Sequence, residues 1–216
     1  MAKTTISDLV PPNDPILTQI TQPIPLAEIT SQETKKLIEK MLDASYGRRK
    51  NRSKPTVVGL AAPQIGISKR IIAVDKGADG KGGLSDLQMY INPEIVWKSQ
   101  EESEWYEGCW STDRVCGIVS RATTIEVSAY TTEGKKVIER HSGYPARIFQ
   151  HEIDHLNGKE FVTHITDDAK LHWVEDEEFP SYRENEGWRT WKKTCPREKW
   201  EQIKGLNKNS LTKKSR

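Results

Sequence analysis

Cysteine is scarce in this chain: Cys109, Cys116 and Cys195 are odd in number and far apart. That argues against a disulfide framework and makes a reducing cytoplasm the expected compartment. Long apolar runs are missing too. No stretch approaches the roughly 18 residues of a membrane span. The opening "MAKTTISDLVPPNDP" has no apolar core and carries Asp8 and Asp14, so neither a secretory signal nor a transit peptide fits. Internal repeats and low-complexity blocks are absent. Only 35% of the 216 residues are apolar and 30% are charged, so part of the chain is expected to lie outside any core.

Charge of either sign is nearly balanced, at +2 overall, but it is unevenly placed. Residues 167–186 hold eight acids against Lys170 and Arg183, and residues 187–216 hold ten Lys or Arg against Glu198 and Glu201. The chain after residue 166 is therefore acidic and then basic. Its basic part, 187–216, is either an electrostatic handle for an anionic partner or a solvated tail.

Upstream, "DPILTQITQPIP" is a proline-punctuated arm. A helix is predicted over Gln32–Tyr46, with Thr30 and Glu33 as a T-x-x-E capping box, Leu37, Ile38, Met41 and Leu42 as the apolar stripe, and Gly47 as the stop. "RRKNRSKP" (48–55) is a basic loop. Short strand-like runs follow at 57–60, 70–74, 87–92, 124–130 and 136–139, the last two joined by the hairpin signal "TTEGK". No helix between them is long enough for parallel crossovers, which predicts antiparallel sheet.

A second helix is predicted from Gly143 to Asn157, with Ser142 as N-cap, Pro145 in the first turn and Gly158 at the end. Ala146, Phe149, Ile153 and Leu156 recur on one side. His151 and His155 point the other way, with Ile148 beside them. A helix that packs on one side and carries polar groups on the other belongs inside the domain. The expected fold is α+β, with antiparallel sheets packed around this central helix.

That helix carries "HEIDH". Residues at i and i+4 share a face, so both imidazoles can reach one ion. Glu152, one residue round, can take a proton from bound water and return it to a leaving amine. Asp154 can orient a histidine. Two histidines leave a catalytic metal short of a ligand. The protease pattern H-E-x-x-H-x-x-G-x-x-H holds as far as Gly158 and then meets Phe161. His164 and His172 have no directing spacing. The acids near 175–178 are formal candidates in a solvated setting, and "EGCWS" (107–111) offers a thiolate at a strand end. Cys116 and Cys195 read as small buried hydrophobes.

Three segments in order, "GLAAPQIG" (59–66), "EGCWS" (107–111) and "QHEIDH" (150–155), resemble the signature motifs of peptide deformylases. The likeness covers about residues 10–165, so residues 1–165 are the expected catalytic domain and 166–216 a charged C-terminal extension, acidic then basic and partly helical. It implies a divalent transition metal on Cys109, His151 and His155, with water in the fourth position. Fe²⁺ is the family's usual metal, and Zn²⁺, Ni²⁺ or Co²⁺ can replace it. It implies removal of formyl from the N-formylmethionine of nascent chains, with Glu152 as general base and acid. Gln64 and the Trp110 backbone N–H would hold the oxyanion. By the same resemblance, backbone groups of Val58, Gly59 and Gly108 face the substrate, Tyr144 and Ile148 line the methionine pocket, and Glu107 pairs with Arg121 behind the metal. Family members often end in a helix, which in some bacteria docks on the ribosome, a role open to "PREKWEQIKG" (196–205) and its basic surroundings. Trp188, Trp191 and Trp200 there either stack on bases or pack back onto the domain. The expected protein is a cytoplasmic monomer with no membrane contact.

Two departures from the motifs bear on the cleft. Val57 stands where the first motif begins with glycine, and Trp110 where leucine is common; both are expected to reshape the substrate site. Two other readings stay open: an HExxH metallopeptidase with a downstream acidic ligand, and a catalytically weak binder of formylated chains.

Overall fold

The computed structural model of the protein describes residues 8–46 and 57–206. The basic loop 48–55, the expected stop at Gly47 and the chain from 207 lie outside the described residues. In chain order the main elements are α1 (Gln32–Tyr46), β1 (Gly59–Ala61), β2 (Ile71–Asp75), β3 (Leu87–Lys98), β4 (Glu102–Gly108), β5 (Val115–Ala122), β6 (Thr124–Tyr130), β7 (Lys136–Ser142), α2 (Gly143–Leu156), β8 (Leu171–Trp173), α3 (Phe179–Arg183) and α4 (Arg197–Ile203). One sheet runs β1-β2-β3-β6-β7, antiparallel throughout, and a second runs β4-β5-β8. The fold is α+β, as expected.

The chain forms two compact units. One is built from Pro15–Ser103 and Arg121–Glu160, the other from Pro11–Asp14, Glu104–Ser120 and the chain from Phe161 onward. In the first unit, β2 explains how one sheet serves two helices. Its side chains alternate across the sheet. Ile71 and Ala73 join Leu60 and Ile91 in a core with Ile38 and Met41 of α1. Ile72 and Val74 join Tyr90, Ile125 and Val127 in a core with Ala146, Phe149, Ile153 and Leu156 of α2. Every residue of β2 is buried, because both faces are covered. Helix α2 is thus held by its apolar side, and burying Phe149 alone is worth about 2–3 kcal/mol.

The structure corrects several local expectations. The cap of α1 is Ser31, not Thr30: the Thr34 N–H donates to Ser31 Oγ at 3.1 Å. Ser142 precedes α2 without making a side-chain cap bond, and its hydroxyl pairs instead with Thr124 Oγ1 at 3.0 Å. Strands β4, β5 and β8 were not anticipated. β4 is largely exposed and acidic, and β8 has only three residues, too short for a period-2 signal. Val57 is buried in the core that includes Met41 and Tyr46.

In the second unit, Tyr106 of β4 meets Tyr182 (ring centroids 5.3 Å) and Trp188 (6.3 Å), and Trp191 packs edge-on against Tyr182. Trp188 is fully buried, and Trp200 of α4 joins Phe161, Val162, Leu171 and Cys195 in a second cluster. These rings pack onto the protein; base stacking is closed to Trp188 and Trp200. The acidic and basic tracts also neutralise each other here. Arg189 pairs with Glu186 (2.7 Å), Lys193 with Glu178 (3.2 Å) and Arg197 with Asp168 (2.7 Å). Among the described residues, no helix is long and apolar enough to cross a membrane.

Candidate metal centre

The two histidines come from one face of α2. Their rings lie 5.1 Å apart, edge to face, with His155 only 1% exposed. Cys109 follows β4 in extended conformation and opens a short 3₁₀ turn, Trp110–Thr112. That turn folds back on the cysteine: the Ser111 N–H donates to Sγ at 3.4 Å, and the Thr112 hydroxyl to the Cys109 carbonyl at 2.8 Å. The ligand atoms of Cys109, His151 and His155 all lie within 4.8 Å of one another, the one such group found among the described residues. A thiolate and two imidazoles suit a borderline or soft transition ion, not Mg²⁺ or Ca²⁺. Three protein ligands are what an open, catalytic tetrahedral site presents. The donor chemistry therefore fits a catalytic metal.

Glu152 lies one residue beyond His151 and is 4% exposed. Gly59 of β1 faces it. A Cβ at Gly59 would come within 2.9 Å of the Glu152 carboxyl carbon, closer still to Oε1, and 2.8 Å from Ile148 Cγ2. Glycine is thus what lets the edge strand β1 approach the carboxylate, and Ile148 lines the same spot. Val58 carries a carbonyl that accepts the Asp75 N–H at 2.8 Å, so that group serves the fold.

Gln64 sits in a 3₁₀ turn, Ala62–Ile65, directly after β1. Its Oε1 accepts the Ala61 N–H at 2.7 Å. Anchoring the acceptor end fixes the amide plane and turns its two N–H donors the other way. Gly108 is required by packing: a Cβ there would lie 2.8 Å from Cys116 Sγ. Burial pushes the Cys116 thiol up to about 12, so this cysteine is a neutral core group, as expected. Cys195 is fully buried as well.

Trp110 is 49% exposed. Tyr144 packs partly buried beside the α2 core, and Gly80 of the β2–β3 loop rests on its ring, with a notional Cβ 3.0 Å away. Arg121 is buried and donates to Asp154 Oδ2 at 2.6 Å, a partner that the expected pairing with Glu107 did not include. Glu107 is buried at the end of β4. The other candidate ligands are occupied elsewhere. Glu175 is bound by Arg114 (2.5 Å), Glu178 by Lys193, and His172 lies between the Tyr182 hydroxyl (2.9 Å) and the Ala169 carbonyl (3.2 Å).

The chain is also similar to known proteins. The family model described as polypeptide deformylase matches residues 6–170. A peptide deformylase of Carboxydothermus hydrogenoformans is 46% identical over 149 residues, covering 69% of this chain and 86% of that one. Peptide deformylase 2 of Geobacillus stearothermophilus is 39% identical over 175 residues, covering 74% and 90%. Among solved structures, the Met-Ala-Ser-bound class I type b peptide deformylase of Acinetobacter baumannii superposes with a TM-score of 0.65. It is 34% identical and covers 73% of this chain and 96% of that one.

Proposed function

Since the chain belongs to the polypeptide deformylase family, a family of metal-dependent hydrolases, we propose that it removes the formyl group from the N-terminal formylmethionine of nascent polypeptides and releases formate. The observation that carries this reading is the convergence of Cys109, His151 and His155, with Glu152 beside His151 on the same helix.

Cys109, His151 and His155 would hold one divalent transition metal, Fe²⁺ by family habit, with Zn²⁺, Ni²⁺ or Co²⁺ able to substitute. When bound, the metal supplies Lewis acidity, which activates water and polarises the formyl oxygen. The protein's own groups do the rest. Glu152 takes the proton from the attacking water and delivers it to the departing amine. The donor end of Gln64 and the backbone N–H of Trp110 stabilise negative charge on the formyl oxygen. The open edge of β1 at Gly59 and the carbonyl of Gly108 run along the peptide, and Ile148 with Tyr144 receives the methionine side chain. Arg121, held by Asp154, steadies α2 from behind, with Glu107 beside the Cys109 loop.

Residues 1–165 form the catalytic region in this reading and 166–216 an extension; the match to the family model ends at 170, close to that boundary. The setting is the cytoplasm, the enzyme acts as a monomer, and the basic segment 187–216 is the contact to ribosomal RNA.

The test is formate release from formyl-Met-Ala-Ser by iron- or cobalt-loaded protein. Glu152→Ala should retain metal and lose nearly all turnover. Wild-type protein that binds the peptide without releasing formate would leave a binder, and a Glu152→Ala variant with wild-type activity would refute the mechanism.

A further inference from the structure

Helix α2 ends one residue after the ligand His155, and its end is held in an unusual way. The carbonyls of Ile153, Asp154 and His155 are satisfied locally, by the amides of Asn157, Lys159 and Gly158. The Leu156 carbonyl is taken instead by distant parts of the chain. It accepts the Thr21 N–H (2.9 Å), the Thr21 hydroxyl (3.0 Å) and Arg70 Nη1 (3.3 Å). Thr21 belongs to the N-terminal arm and is 2% exposed, and Arg70 immediately precedes β2.

The arm is fitted closely to this end. Ile20 bridges Asn157, and Gly158, at φ +67°, has its Cβ position 2.5 Å from the Thr18 carbonyl oxygen. Arg70 reaches further, to Asn157 Oδ1 (3.0 Å) and to the Pro93 carbonyl (3.2 Å). Its own backbone N–H donates to the Gln22 carbonyl, and its carbonyl accepts the Asn92 N–H. One guanidinium fork thus ties the helix end to β3, while the backbone of the same residue ties the arm to the sheet. A cation at a helix C-terminus also matches the negative end of the helix dipole.

From this geometry we infer that Thr21 and Arg70 are positioning residues for the metal ligand His155, acting through the Leu156 carbonyl. The inference rests on the metal reading above. The arm and the guanidinium fix the last turn of α2, and with it the imidazole of His155 beside that of His151. Metal ligands need such support: removing outer partners usually costs about 10–100-fold in metal affinity.

The experiment uses full-length protein loaded with Co²⁺, its visible absorption reporting the ligand geometry, with release to a chelator as the measured rate. Arg70→Met and Thr21→Val should each release Co²⁺ faster, by about 10-fold for Arg70→Met, with an altered Co²⁺ spectrum. Arg70→Lys keeps the charge but not the fork and should restore part of the retention. Thr34→Val is the control for a merely structural role. It removes the hydroxyl bond to the Glu28 carbonyl (2.8 Å) at the start of α1, and it should lower stability without changing release. If Arg70→Met folds poorly, Thr21→Val decides alone, since it removes one hydroxyl without changing shape. Wild-type loading with unchanged release and spectrum in both variants would overturn the inference. A wild-type chain that takes up no Co²⁺ would overturn the metal reading and this inference with it.

Discussion

Replacing Gly59 by alanine adds one carbon, and the structure says where it goes. Gly59 has no left-handed φ, so the backbone tolerates alanine, and any effect comes from the added methyl. That methyl would sit 2.9 Å from the Glu152 carboxyl carbon and 2.8 Å from Ile148 Cγ2, where ordinary contact begins at 3.4 Å. The carboxyl carbon must retreat by about 0.5 Å and its nearer oxygen by more, in surroundings that leave Glu152 4% exposed. A displacement of about 1 Å in a reacting group costs about 100-fold in rate. Gly59→Ala should therefore lower kcat by roughly 10–100-fold, or about 1.4–2.7 kcal/mol in the barrier. The assay is formate release from formyl-Met-Ala-Ser by protein whose metal content has been measured. Metal-replete Gly59→Ala with kcat within about twofold of wild type would refute the reasoning. An effect confined to KM would move the role of Gly59 from Glu152 to substrate contact along β1.

Other outcomes follow from single contacts. Cys109→Ala should abolish tight metal binding, because it removes one of three clustered ligands; retention of wild-type metal content by elemental analysis would exclude Cys109 as a ligand. Trp188→Ala should destabilise the protein by about 3–5 kcal/mol, since the ring is fully buried; an unchanged urea midpoint would show that the aromatic cluster is dispensable. Stability should also fall on acidification. Burial holds His172 and His141 below the usual histidine range, opposed by the Ala169 carbonyl and by Glu139 respectively. A folded-state value below the unfolded one favours the neutral form, so this contribution is complete above about pH 6.5 and disappears as pH falls through the lowered values. Urea midpoints should drop on going down from pH 7, and His172→Gln should flatten part of the drop.

The pair of histidines was legible in the sequence because it is local: His151 and His155 sit on one helix whose apolar spacing is plain. Cys109, 42 residues before His151, was one of several open candidates by spacing, and the resemblance of its short loop to a family motif singled it out. What was hidden depends on distant contacts. Nothing near Thr21 announces a bond to Leu156, 135 residues away. Arg70 meets the same carbonyl across 86 residues. Val57 stood out as a departure from a motif glycine, and that comparison could not show that tertiary packing places its side chain in the α1 core. The cap of α1 moved by one residue because Thr30 and Ser31 are both competent and only the backbone path chooses between them. Strand β4 was concealed by its acids, which an exposed strand tolerates and an alternation rule penalises.

The C-terminal segment asks for a different experiment from the one its charge suggests. By composition, cutting residues 187–216 should remove a basic handle and spare catalysis. In the fold, that cut would also remove Trp188, Cys195 and Trp200, three buried side chains of the second unit. It would also strip the cations that neutralise Asp168, Glu175 and Glu178. Any weakening of ribosome binding would then report unfolding as much as the missing charge. A cut after Leu206 is cleaner: Leu206 is exposed, and the cut removes Lys208, Lys213, Lys214 and Arg216 while leaving α4 whole. If these four cations bind ribosomal RNA, the slope of log binding against log salt should fall by about 3–4, roughly 0.7–0.9 for each phosphate no longer neutralised. Turnover on formyl-Met-Ala-Ser should not change. Co-sedimentation with an unaltered salt slope would show that the end of the chain is not the handle. Binding to RNA would then fall to the remaining cations of 187–206, such as the exposed Lys192.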